Sequence, residues 1–455
     1  MAFGKKKKVS GNRQMNPTRI IAITFAVIIL LGAVLLTLPV SSRDGVSCGF
    51  LPALFTATSA TCVTGLVMYD TWSQWSAFGQ VVIITLIEVG GLGFMSAASV
   101  VIFLFRRKVG LKQRMMMAQA ISVDDMQSVV KIQKWVILGS LSIQACGALI
   151  LFFRFLPQRG AAQAAAWGAF HAISAFCNAG FDIFGSIGPG QSVAVYNHDP
   201  VVLITLMALV VLGGLGFLVW EEIVRVKRFN RFSVYTKLVL TSTAVLLLGG
   251  ALLILMLEWN NPATIGEMPA WQKVLNSFFQ SVTLRTAGFA SFDQTNLTEG
   301  GKAVSIFLML IGGSSGSTAG GAKTVTFVVL LLFIGTRLRG RSTVTVYKRS
   351  ILPEKVMDAM MIVAVMVGLS LLGAVVICTT SAVTFTDGLF EAVSALATVG
   401  ITAGVTTKLH TVAQLMIILF MYFGRVGILT ISLGFLMGDR AEERFQYAHT
   451  NLLIG

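Results

Sequence analysis

The chain has 455 residues, of which 55% are hydrophobic and only 12% charged, and its net charge is +15. Soluble domains are about one-quarter charged, so a chain with a mean hydropathy of +0.80 cannot cover a soluble surface and reads as an integral membrane protein. The positive charge does not point to nucleic acid. Lys and Arg fall in bursts at Lys5–Lys8, Arg106–Arg114, Arg225–Lys237 and Arg337–Lys355, between apolar runs, which is the positive-inside pattern of cytoplasmic loops facing membrane lipid.

In chain order, a basic cytoplasmic N-terminus (1–17) precedes eight runs long enough to cross a bilayer, which takes about 20 apolar residues. They are predicted at 18–39, 78–105, 130–155, 200–224, 235–258, 303–335, 356–380 and 411–437. Four shorter, semi-polar segments alternate with them, near 50–66, 167–181, 272–289 and 387–401. Each is too short to cross and too apolar for an ordinary loop, as re-entrant hairpins are. No removable signal peptide is expected at the N-terminus. Cys48, Cys62, Cys146, Cys177 and Cys378 are odd in number and irregularly spaced, which gives no disulfide framework. No metal-ligand cluster is visible.

The hairpins repeat one another. Aligned on Phe55, Phe170, Phe278 and Phe390, a glycine follows ten positions later each time: Gly65, Gly180, Gly288 and Gly400. An apolar residue comes next, and Ser59, Ser174 and Ser394 (Val282 in the third copy) lie four positions after the phenylalanine. The fold class is therefore all-α and polytopic, with four parallel span–pore-hairpin–span repeats around a pseudo-fourfold axis. That makes eight transmembrane helices plus four re-entrant pore helices. The repeats are 18–114, 115–230, 231–350 and 351–438, followed by a cytoplasmic tail, 439–455. Each copy crosses an even number of times, so all four share one orientation. Most of the 35 Lys and Arg then lie in the termini and inter-repeat linkers, which places these in the cytoplasm and the hairpins at the outer face.

Non-helical backbone at membrane depth survives only where protein, water or an ion satisfies it. Four glycine turns around one axis let backbones approach closely. Their carbonyls can then replace an ion's hydration shell. Oxygen donors without thiolate or imidazole suit a hard alkali cation. The coordinating backbone is expected over Thr61, Cys62, Val63, Thr64 and Gly65; Phe176, Cys177, Asn178, Ala179 and Gly180; Leu284, Arg285, Thr286, Ala287 and Gly288; and Leu396, Ala397, Thr398, Val399 and Gly400. Small-residue packing turns are the alternative. Asp70, Asp182 and Asp293 follow three of the glycines. They either concentrate cations at the mouth or are plain solvated acids. His171 reads as a packing residue of its pore helix.

The sixth run is interrupted by "GGSSGSTAGGAKT", Gly312–Thr324. Glycine costs about 1 kcal/mol per helical position relative to alanine, so a continuous helix is not expected there. A kinked, closely packed helix is one reading. The other is a flexible loop obstructing the cavity beneath the hairpins, built from Gly312, Gly313, Ser314, Ser315, Gly316, Ser317, Thr318, Ala319, Gly320, Gly321 and Lys323. Aligning "GGLGF" (90–94 and 213–217), "GGSSG" (312–316) and "FGRVG" (423–427) puts Arg425 where the other copies have Leu92, Leu215 and Ser314. An arginine at that depth either repels cations from a wet cavity or pairs with a buried acid, Glu88 or Glu391.

The stretches "TSATCVTGL", "HAISAFCNAGF", "FFQSVTLRTAGF", "AVSALATVGITAG", "LIGGSSGSTAGGAKT" and "GRVGILT" resemble the Trk/Ktr/HKT superfamily of potassium transporters. The resemblance is strongest to the Ktr-type membrane subunit and covers nearly the whole chain. It implies K⁺ bound at Gly65, Gly180, Gly288 and Gly400, with K⁺ preference following from glycine rather than serine at position 65. It also implies a gating role for the loop and for Arg425, a homodimer in the plasma membrane, and a separate cytoplasmic ring with nucleotide-binding (RCK-type) domains. Nucleotide would sit only on that partner, with no organic cofactor in this chain. A Na⁺-conducting or Na⁺/K⁺-symporting member is the alternative. An alternating-access transporter would need inverted repeats. An enzyme would need a motif such as HExxH, which does not occur, or a paired His/Asp constellation, which is not seen.

Overall fold

The computed structural model describes residues 17–93 and 129–427. The predicted extensions of the second run beyond 93 and of the eighth beyond 427, the Arg106–Arg114 linker and both termini lie outside the described residues.

The first apolar run forms α1 (Pro17–Thr37), and the first hairpin supplies a short helix, α2 (Phe50–Thr61). A helical turn, α3 (Thr71–Gln74), leads to α4 (Ala77–Leu92). The chain continues with α5 (Val129–Arg159), the short α6 (Ala161–Phe176), α7 (Pro200–Leu215), α8 (Phe217–Val226) and α9 (Val234–Glu258). Then come the short α10 (Ala270–Thr283), α11 (Glu299–Leu310), α12 (Thr324–Leu338) and α13 (Pro353–Ser381), the short α14 (Phe385–Leu396) and α15 (Thr411–Val426). A two-residue antiparallel hairpin, β1 (Thr345–Val346) with β2 (Arg349–Ser350), lies between α12 and α13.

Among the described residues, α1, α5, α9 and α13 hold helices long and apolar enough to span a bilayer, and together they make a multi-pass membrane protein. Their lipid-facing sides stay apolar, as at Leu31, Phe153, Val245 and Leu372. The predicted single run 200–224 is instead two helices bent by 94° at a break. Gly216 stands there with φ +94°, a conformation nearly closed to residues with a Cβ. Gly93 and Gly427 end α4 and α15 with φ +82° and +94°. The run predicted at 303–335 is interrupted as expected, by a loop between α11 and α12.

Each short helix packs against the long helix before it: α2 on α1, α6 on α5, α10 on α9 and α14 on α13. The helix after each short one reaches the next short one along the chain. Helix α4 packs on α6, α7 on α10 and α11 on α14, and α15 returns to α2. The buried core follows this course. Its densest aromatic part, Phe155, Trp167, Phe184 and Tyr196 around α6, includes His171. That ring stacks on Phe184 at 3.8 Å, bonds the Trp167 carbonyl through Nδ1 and accepts from the Ile183 amide through Nε2. Its predicted packing role is the observed one, and it also ties the return strand to α6.

Candidate functional site: four glycine segments and a loop beneath them

After each short helix the chain makes the same backbone move. The residue two before the glycine is left-handed: Val63 (φ 56°), Asn178 (59°), Thr286 (68°) and Thr398 (54°). The glycines follow at φ 100°, 69°, 84° and 91° for Gly65, Gly180, Gly288 and Gly400. Asparagine tolerates this region, but valine and threonine are genuine outliers there, at a cost of about 1–2 kcal/mol each. Such strain persists only where surroundings over-determine it, typically at functional sites.

Helix-borne hydroxyls hold the turns. The Gly65 and Gly400 amides donate to Ser59 and Ser394 Oγ at 3.0 and 3.1 Å, and Ser174 Oγ donates to the Phe181 carbonyl at 2.7 Å. In the third segment the apolar Val282 leaves no hydroxyl at the aligned position. Thr283, one residue on, takes over and donates to the Phe289 carbonyl at 2.7 Å.

The four glycines meet. A Cβ placed on Gly65 would lie 2.5 Å from the Ala179 carbonyl oxygen, one on Gly180 2.7 Å from that of Ala287, and one on Gly288 2.7 Å from that of Val399. One on Gly400 would collide with the Thr64 carbonyl. No side chain fits at any of the four, and the succession closes on itself. The buried hydroxyls of Thr61, Thr64, Thr286 and Thr398 find no protein partner.

On one side the glycines open into a cavity of about 610 Å³ lined also by Asp70, Asp182 and Asp293. Asp70 caps α3 through the Ser73 amide and accepts from the Gly190 amide. Asp293 accepts from Thr295 and Asn296. These two acids organise loops as well as lining the cavity. Asp182 accepts from the Phe184 amide, and burial, with the Asp70 charge adding to it, pushes its carboxyl up to about 7.

On the other side lies the Gly312–Thr324 loop. Its roots are pinned by the Gly312 amide on the Ala322 carbonyl and the Thr324 amide on the Gly313 carbonyl. Thr318 Oγ1 donates to the Phe176 carbonyl at 3.0 Å, while the Thr318 and Ser314 amides donate to the Gly213 and Gly214 carbonyls. Gly320 and Gly321 press against Thr398 and Ala397. The loop thus touches the second and fourth glycine segments directly. Lys323 Nζ donates within the loop to the Ala319 carbonyl at 2.7 Å.

Arg425 departs from both sequence-based expectations of its place and partner. Gly90, Gly213 and Gly424 stand against the carbonyls of Thr61, Phe176 and Leu396, the last residues of α2, α6 and α14. Gly93, Gly216 and Gly427 end their helices alike. Arg425 therefore corresponds to Gly91 and Gly214, one position from Leu92 and Leu215, because "GRVG" (424–427) matches "GGLG" (90–93 and 213–216). Nor does it pair with Glu88 or Glu391. It donates to the carbonyls of Thr318, Gly90 and Gly91. Glu88 instead accepts from Gln144 at 3.0 Å and the Cys177 thiol at 3.3 Å, so that thiol is engaged. Glu391 accepts from Thr402 and Thr406.

Arg285 was expected only to lend backbone. Its buried guanidinium also reaches the loop, donating to Thr324 Oγ1 at 2.9 Å. Being the one basic residue within the four "xxxxG" segments was its only signal in the sequence.

The site is thus a set of four glycine turns, lined by backbone and buried uncharged oxygens, in a membrane protein of helices. Residues 2–444 match the family model described as TrkH, a cation transport protein, and the chain belongs to that family. It is 38% identical to the potassium/sodium uptake protein NtpJ of Enterococcus hirae over 99% of both chains. It is also 38% identical to the Ktr system potassium uptake protein B of Bacillus subtilis, over 97% of this chain and 98% of that one. The potassium transporter TrkH from Vibrio parahaemolyticus superposes with a TM-score of 0.72 at 16% identity, covering 95% of this chain and 87% of that one. These relatives are cation transporters, not enzymes.

Proposed function

We propose that the chain takes up K⁺ across the plasma membrane through a filter formed by Gly65, Gly180, Gly288 and Gly400, at the centre of four parallel repeats about a pseudo-fourfold axis. The observation that carries this reading is the fourfold left-handed pair, two residues before the glycine and at the glycine itself. Alternating left- and right-handed residues turn successive carbonyls to one side, and a ring of carbonyls stands in for the hydration shell of a potassium-sized ion. The partnerless threonine hydroxyls add oxygen atoms of the kind a hard cation takes. The names of the relatives, potassium uptake protein B and potassium/sodium uptake protein, support the substrate class.

In this reading the acid-lined cavity is the outer mouth, and the termini and inter-repeat linkers are cytoplasmic. The Gly312–Thr324 loop with Arg425 is the gate. Packed against the second and fourth filter segments and met by Arg285 of the third, the loop fills the path directly beneath them, and the Arg425 charge raises the barrier to a cation. The Ktr system naming of relatives supports a separate regulatory subunit. A cytoplasmic ring with nucleotide-binding domains and a homodimer of this chain are the assembly proposed. Expression in a potassium-uptake-deficient cell tests the function. Growth and Rb⁺ uptake at micromolar external K⁺ are expected. Na⁺ uptake without Rb⁺ uptake would replace this reading by the Na⁺-conducting one.

A further inference from the structure

Within the loop, Gly312–Ser314 and Thr318–Gly320 are buried, whereas the tip, Ser315, Gly316 and Ser317, is half-buried. The tip is therefore the part free to leave with least rearrangement. Among the described residues, its backbone is held from outside the loop at two carbonyls. The Phe217 amide donates to Gly316 at 2.8 Å, and the Tyr235 hydroxyl donates to Ser315 at 2.9 Å.

Phe217 opens α8, and Tyr235 lies in the first turn of α9, just after the short connection that joins the two helices. That corner is a stapled body. Glu222 of α8 accepts from the Ser233 amide and Oγ at 2.6 and 2.7 Å and from Thr236 Oγ1, while Ser233 caps α9 through the Thr236 amide. Lys237 Nζ donates to the Asn230 carbonyl at 2.8 Å and lies over the Tyr347 ring, which ties in the β1–β2 hairpin. Lys227, Arg228 and Arg231 stay exposed on the connection. Tyr235 is thereby fixed from behind, and its hydroxyl is presented to a loop tip that has little else to hold it.

We propose that Tyr235 is a positioning residue of the gate, whose hydroxyl latches the Ser315–Gly316 tip in the closed position. This rests on the loop being the gate. A phenylalanine keeps the ring and its packing and removes only the latch. One neutral hydrogen bond shifts a two-state equilibrium by about two- to tenfold, so Tyr235→Phe is expected to raise the maximal Rb⁺ uptake rate of the full-length chain by ~2- to 10-fold at equal membrane expression.

A second reading separates latching from general loosening. In inside-out vesicles, a cysteine introduced by Ser317→Cys is expected to react faster with a membrane-impermeant maleimide when Tyr235→Phe is also present. Faster uptake together with faster labelling supports the latch. Faster uptake with unchanged labelling, or uptake that is unchanged or reduced, overturns it. Shortening the loop within Gly312–Thr324 in parallel keeps the two failures apart. If shortening raises uptake and Tyr235→Phe does not, the latch falls and the gate stands. If neither does, the gate reading itself fails.

Discussion

The Arg425 guanidinium and the Thr318 carbonyl are hydrogen-bond partners, and the same guanidinium grips the carbonyls of Gly90 and Gly91 at the end of α4. One side chain thus staples the glycine-rich loop to a helix far away in sequence, using carbonyls alone. This half-buried arginine has no carboxylate partner among the described residues, so no acid offsets its charge there. In the proposed gate, charge and staple would act in the same direction, since both would oppose the passage of a cation.

Arg425→Gln removes the charge and cannot span all three carbonyls. Hydrogen bonds from a charged donor are worth roughly 1.5–3 kcal/mol, so maximal Rb⁺ uptake should rise about 10- to 100-fold while half-saturation changes little. A fall in uptake by a folded, membrane-inserted variant would count against a restraining role.

Gly288→Ser places a Cβ 2.7 Å from the Val399 carbonyl, at a φ of +84°. The Val399 carbonyl must turn away, and the ring loses a matched oxygen. Rb⁺ uptake should fall and the preference for K⁺ over Na⁺ should shrink in competition uptake. An unaltered K⁺/Na⁺ ratio would remove Gly288 from the proposed filter.

Val63 offers a backbone test. Glycine adopts φ +56° without strain, so Val63→Gly should retain uptake near the parent level. Val63→Pro, locked near φ −65°, should abolish it. If both variants insert and both fail, the side chain rather than the turn is what matters at this position.

Asp182 carries the pH dependence. Burial, with the Asp70 charge adding to it, pushes its carboxyl up to about 7, so it is expected to be charged well above that pH and neutral well below it. A charged acid in the mouth concentrates cations. Half-saturation for Rb⁺ should therefore worsen as external pH falls from 8 to 6. Asp182→Asn should show the weaker, low-pH behaviour at both values. A wild-type half-saturation constant that is flat across this range would exclude the role.

Much of this was legible in the sequence. The apolar runs, the four short helices and the four glycines in register carry their own signal, because membrane length and glycine spacing are properties of the chain itself. The 94° break at Gly216 was not, since glycines in an apolar run read equally as close packing of a continuous helix. The left-handed residues were hidden because valine and threonine advertise the opposite backbone preference, and tertiary packing imposes the turn. Arg425 was placed one position off because glycines repeat within the aligned stretches, and only the carbonyl each glycine touches fixes the register. Its partners were missed because sequence suggests carboxylates for a buried arginine and says nothing of backbone carbonyls. The hydroxyl that moves from the aligned Val282 to Thr283 shows the same limit on a smaller scale.

The most direct test of the central claim is an experimental structure of the full-length protein in Rb⁺, read by anomalous scattering. An anomalous peak encircled by the carbonyls beside Gly65, Gly180, Gly288 and Gly400 is expected, and its loss in Gly288→Ser supports the filter. Rb⁺ bound elsewhere, with no peak among the four glycines, would contradict it.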